Sequence, residues 1–170
     1  MEDQAQSLLA TLKKSSVATD TKLTAFNNLK SNIKHLRVPE AAQPTIFECI
    51  RVAITSQAST TLVSSGFSTL GHLVKRLSLQ EQTNVIAQHA KKFLPVLFDR
   101  LGDARESHRN AASQSLADFW PYCHVEVEQL VREGALMGHN ARAKEMAMLW
   151  LVKVWSNSCM LQYLHLTCRR

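Results

Sequence analysis

Glycine and proline are scarce in this chain of 170 residues, at 5 and 4, and aromatic side chains make up 6% of it. So few chain breaks favour helix over sheet. Cysteine is also sparse and badly placed for pairing: Cys49, Cys123, Cys159 and Cys168 are widely spaced, with no CxxC pair. That spacing excludes a disulfide framework and fits a reduced cytosolic or nuclear compartment. Cys123 and His124 have no second Cys or His at ligand spacing, so no zinc site is expected. No apolar run reaches the roughly 18 residues of a membrane span. The start, MEDQAQSLLATLKK, is acidic and then amphipathic, which is not the pattern of a secretory signal. The chain contains no GxSxG, P-loop, GxGxxG or HExxH, and its acidic residues mark no catalytic pair. We expect no enzyme activity, no cofactor and no bound metal.

What is present is a helical, basic chain. Hydrophobic residues make up 45%, enough for a real core, and 20 Lys and Arg against 14 Asp and Glu give a formal charge of +6. Such a balance suits an acidic partner. Nucleic acid is not the expected one, because the basic residues are not interleaved with aromatics for base stacking.

Apolar positions recur at helical spacing along nearly the whole chain. Ala5, Leu8, Leu9 and Leu12 predict a short first helix, and Phe26, Leu29, Ile33 and Leu36 a second, capped by Thr19 or Asp20. Val38-Pro39-Glu40 reads as a break with proline in the first turn of a third helix, whose core face is Ile46, Phe47, Ile50, Ala53 and Ile54. A fourth carries Leu62, Gly66, Leu70, Leu73 and Leu77, with Gly66 and Gly71 marking close helix approach. Ser78 to Glu81 reads as a capping box for a fifth helix that Pro95 bends. FLPVLFDRLGDARESHR, residues 93–109, then runs through a corner where a left-handed Gly102 ends one helix and Asp103, with Glu106, caps the next. The sixth helix carries Ala112, Leu116, Phe119 and Trp120 and closes at Pro121. Val127, Leu130, Val131 and Leu136 form a seventh, and Asn140 caps an eighth whose Met146, Met148, Leu149 and Trp150 read as core.

Polar corners fall within successive helix pairs near residues 17, 58, 104 and 139, a spacing of roughly 35 to 46, close to the HEAT-type period. Each pair is amphipathic and must stack on its neighbours, so an α-solenoid of four helix pairs is predicted, with the corners along one edge. Residues 1–156 are assigned to this all-α domain and 157–170 to a divergent, poorly ordered tail.

Four stretches carry a resemblance: VPEAAQPTIFE at 38–48, GFSTLGHLVKRLSLQEQ at 66–82, LPVLFDRLGDARES at 94–107 and NARAKEMAMLWL at 140–151. Together they resemble the N-terminal TOG domain of the CLASP family of microtubule-associated proteins, particularly its fungal members. The resemblance implies a HEAT-repeat stack, about four of the six repeats of such a domain, that faces tubulin with its within-repeat corners. It also implies a protein that stabilises microtubules and promotes their rescue in the mitotic spindle, located in cytoplasm, cytoskeleton and nucleus. On this basis the candidate tubulin contacts are Lys22, Arg105, His139, Asn140, Arg142 and Lys144, supported by Lys13 and Lys14. Arg109 is expected to pair structurally with Asp103. Residues 15–22, SSVATDTK, lack the tryptophan that many TOG domains place in the first corner. That departure sustains an alternative: a docking scaffold for kinetochore or spindle proteins that does not itself grip tubulin.

Overall fold

The computed structural model describes residues 1–167, the side chains of 134–136 and 155–167 excepted. Among the described residues all regular structure is helical. The order is α1 (Glu2–Lys13), α2 (Thr19–His35), a 3-10 turn (Glu40–Ala42), α3 (Gln43–Thr55), α4 (Thr60–Leu79), α5 (Thr83–Leu101), α6 (Glu106–Met137) and α7 (Ala141–Thr167). The divergent tail expected at 157–170 falls wholly outside the described side chains.

The pairs α1/α2, α3/α4 and α5/α6 pack internally and then on one another, α1 on α3 and α3 on α5 in one layer, α2 on α4 and α4 on α6 in the other. This is the expected HEAT-type stack. Its core is continuous across repeats. Phe47 of α3 meets Phe93 of α5 edge-on at 5.7 Å between ring centres, and Phe93 meets Phe119 of α6 at 6.1 Å. Leu29, Ile33, Ile50, Ile54, Leu73 and Leu97 are buried in the same core cluster. On the far side Trp150 of α7 is buried against Trp120 of α6, T-shaped at 5.5 Å. Trp120 itself is only half-buried.

Gly66 marks a close approach: a Cβ there would lie 3.0 Å from Ile54 Cγ1 and 3.2 Å from Ala53 Cβ, so α3 and α4 touch almost backbone to backbone. Gly71 does not, since its nearest neighbour, Asp118 Oδ2, would stand at an ordinary 3.6 Å.

Several sequence expectations change. The sixth helix ends at Cys123, two residues past Pro121. Cys123 (φ −153°, ψ 48°) is non-helical, so α6 is two helices joined at a kink, the expected sixth and seventh, the second ending at Met137. Pro121 weakens the last turn before that break by removing one amide donor and crowding the carbonyl four residues back. The Cys123 thiol donates to the Phe119 carbonyl at the kink. The N-terminal part of α6 follows α4, and its C-terminal part lies beside α5, where Lys91 approaches Glu126 at 3.8 Å.

Ser78 caps nothing; it lies in the last turn of α4. Glu81, at φ 61°, takes the left-handed position that ends that helix, and the Gln82 amide then reaches back to the Leu77 carbonyl at 2.9 Å. Neither Thr19 nor Asp20 caps α2, whose N-cap is Ala18 with no side-chain bond. The proline in the first turn of α3 is Pro44, while Pro39 precedes the 3-10 turn. Met148 and Leu149, read as core, are 54% and 57% exposed.

Candidate partner-binding edge

The corners stand at 14–18, 56–59, 102–105 and 138–140, where the apolar spacing placed them. Three are tied together. Arg100, in the last turn of α5, donates through Nε and Nη2 to the Ile54 carbonyl (2.9 and 2.6 Å) and through Nη2 to the Ser56 carbonyl (2.9 Å). Those carbonyls end α3 and lack intrahelical partners. The remaining arm of the guanidinium holds Asp103 Oδ2 at 2.6 Å. One side chain therefore locks the second corner to the third.

Asp103 does not form the expected capping box with Glu106: α6 starts at Glu106 itself, and the carboxylate closes the turn before it. Oδ1 accepts from the Arg105 amide at 2.9 Å, and Oδ2 also takes His108 Nδ1 at 3.2 Å. Its side chain is 8% exposed and that of Arg100 19%. Burial pushes the Asp103 carboxyl up, but the Arg105 amide, Arg100 and His108 together outweigh it and hold it down at about 2. Arg109 does not pair with this carboxylate. It donates to the main-chain carbonyls of Asp103 and Ala104, each at 3.0 Å, because Arg100 already occupies the acid.

Gly102 is not left-handed; its φ is −88°. It is glycine for want of space. A Cβ there would lie within 2.8 Å of Asn140 Cγ and closer still to Nδ2. Asn140 in turn caps α7 as expected, its Oδ1 accepting from the Arg142 and Ala143 amides at 3.1 and 3.2 Å. The second, third and fourth corners thus form one connected line running Ser56, Arg100, Asp103, Gly102, Asn140.

On that line Arg105 and Arg142 are exposed, as is His139; Lys144 and Lys22 are half-buried, and Lys13 and Lys14 are exposed at the first corner. The oxygen of Asn140 is engaged in the cap, so its part in the edge is to fix the corner. Arg142 and Lys144 sit in the first turn of α7, which holds no acidic residue. Cations at the positive end of a helix dipole cost a few tenths of a kcal/mol or more. Helix and side chains together make the fourth corner electropositive, an arrangement that gains nothing for folding. Among the described residues no group of three or more His, Cys, Asp or Glu stands close enough to hold a metal ion. Burial, as the main cause, pushes the thiols of Cys49 and Cys123 up to about 12 and about 11, which keeps both protonated and unreactive.

Residues 1–163 match the family model described as CLASP N terminal. This chain belongs to that family. It is 54% identical over 154 residues to protein STU1 of Phaeosphaeria nodorum, covering 91% of this chain and 13% of that protein. With protein stu1 of Aspergillus fumigatus it shares 48% over 157 residues, 92% of this chain and 12% of the other. The chain thus spans about an eighth of the length of these relatives. Among solved structures, the crystal structure of the MAST/Orbit N-terminal domain superposes with a TM-score of 0.74, covering 92% of this chain and 66% of that one, at 15% identity. At that identity the likeness speaks for the fold, a TOG-type HEAT stack.

Proposed function

We propose that this CLASP N-terminal chain is the tubulin-facing part of a microtubule-associated protein, and that its corner edge is the contact surface. The carrying observation is the pinned line of corners: Arg100 and Asn140 fix three of them in register, and Arg105 and Arg142 stand free on that line. Pre-positioned cations on a rigid edge suit a large, flat, acidic protein surface, since little ordering entropy is lost when they bind. Lys22, His139 and Lys144 flank the line, and Asn140 holds it. The family supports a cytoskeletal role in cytoplasm and spindle, with microtubule stabilisation or rescue as the activity of the whole protein. The test is co-pelleting of the chain with microtubules across ionic strength. Binding strong at low salt and steeply weaker at physiological salt is the expected result, because exposed charge pairs are screened beyond about 8 Å there.

A second reading is favoured by one observation, the absence of tryptophan from residues 15–22. The domain then acts as a scaffold that positions a larger protein at kinetochore or spindle proteins without holding free tubulin. Folded protein that neither pellets with microtubules nor shifts tubulin in gel filtration decides for it.

A further inference from the structure

A second basic surface lies on the layer formed by α2, α4 and α6 and meets the corner edge at Arg105. Three adjoining depressions run along α4. The first, about 470 Å³, is bordered by Asn27 and Lys30 of α2, Ser64 and Ser68 of α4, and Arg105 and Ser107 at the start of α6. The second, about 500 Å³, shares Ser64, Ser68 and Ser107 and continues to His72, and the third, about 410 Å³, continues from Gly71 to Lys75 and Ser78. Shared walls make them one trough. From Thr60 to Ser78 it follows a helix at 1.5 Å per residue, roughly 27 Å, the span of about eight extended residues.

Its floor is set by short hydroxyl side chains, so α4 and α6 leave space between them where longer residues would fill it. Ser65 on the inner side donates to Asn27 Oδ1 at 2.9 Å and joins α2 to α4 beneath the trough. The rim is cationic, and its cations are uncommitted: among the described residues no ion pair or hydrogen bond engages the side chains of Lys30, Lys34, Lys75 or Arg105. The three lysines also act on one spot. Burial lowers the pKa of His72, and Lys34, Lys30 and Lys75 lower it further with no acid opposing them. The carboxylates nearby are Glu106, exposed beside Arg105, and Asp118 on the α6 wall, which accepts from Gln114 at 2.9 Å.

We propose that this trough, floored by Ser64, Ser68 and Ser107 and rimmed by Lys30, Lys75 and Arg105, is a docking surface for an extended acidic peptide segment of a partner protein. The hydroxyls offer hydrogen bonds to carboxylates and to peptide groups, and the rim supplies the opposite charge. Phe67 is buried and Tyr122, in the third segment, is half-buried, so the trough offers no run of exposed Phe, Tyr or Trp rings for base stacking.

The experiment is fluorescence anisotropy of a fluorescein-labelled decapeptide of alternating Glu and Ser, titrated with the full chain at low salt. Four proteins are compared: the native chain, Lys30→Glu with Lys75→Glu, Ser68→Trp, and Arg142→Glu, each confirmed folded by circular dichroism. The charge reversals are expected to weaken binding at least about tenfold, the loss of one or two charge-assisted contacts. Ser68→Trp, which fills the trough without changing charge, is expected to weaken it several-fold, and Arg142→Glu to leave it unchanged. The proposal is overturned by any of four results: no binding to the native chain, indifference to Ser68→Trp, an equal loss in Arg142→Glu, or equally tight binding of an oligothymidylate of matched charge. Because Arg142 lies on the corner edge and Lys30, Ser68 and Lys75 do not, failure here leaves the tubulin reading standing, and the reverse.

Discussion

Arg100 and Asp103 meet at 2.6 Å across the third corner while the same guanidinium holds the carbonyls of Ile54 and Ser56 in the second. One largely buried cation therefore serves two repeats. Cutting it to alanine strands a buried carboxylate and two helix-end carbonyls. Arg100→Ala is expected to cost on the order of 3–5 kcal/mol in urea denaturation. Arg100→Lys keeps the charge but not the fork, and should fall between alanine and native. A loss below about 1 kcal/mol in the alanine variant would mean that the corners are held by packing alone.

The same acid sets a pH dependence. The folded pKa of Asp103, about 2, lies below the ordinary carboxylate value. Unfolded chains then bind the proton first as pH falls. The stabilisation is complete above about pH 5 and is lost progressively as pH drops towards 2, with a full size of about 2 kcal/mol. Urea midpoints of the native chain and Asp103→Asn, compared from pH 5 to pH 2, should converge as acid is added. A constant gap would show that the carboxylate charge is not what matters.

Gly102 and Asn140 form a second tie that a double-mutant cycle isolates. Gly102→Ala should dislodge the Asn140 cap and cost about 1 kcal/mol, as should Asn140→Ala. In the Asn140→Ala background the glycine substitution should cost far less, because the obstructing side chain has gone. Strict additivity would contradict the contact.

How much of this was legible beforehand follows from what each feature depends on. The helix pairs and corner positions follow from local periodicity, and the Asn140 cap from a residue acting on amides two and three positions on. Arg100 was not legible, because its acceptors lie 44 and 46 residues earlier in the chain. Nor was the buried His108, which a local pattern gives no reason to bury. Ser78 obeyed a local rule that tertiary packing overrode, whereas Pro121 marked the break between the sixth and seventh helices to within two residues. Met148, Leu149 and Trp150 were read together as core, yet consecutive helical residues point about 100° apart, so only one of the three faces inward. That one is Trp150.

The exposed pair yields its own prediction. Met148 and Leu149 present apolar surface on α7, and such patches promote association. Replacing both with serine should lower self-association in sedimentation equilibrium with little change in unfolding free energy. A large loss of stability would show that they are buried in solution.

The central claim is that the pinned corner edge is what meets the microtubule. The most direct measurement is co-pelleting of Arg105→Glu with Arg142→Glu beside the native chain at low salt, with thermal stability recorded for both. Neither side chain holds the fold, and a glutamate in the first turn of α7 complements the helix dipole, so stability should be unchanged or raised by a few tenths of a kcal/mol. Binding should nonetheless fall to a small fraction of the native level. Native-level pelleting by this stable double variant would contradict the account.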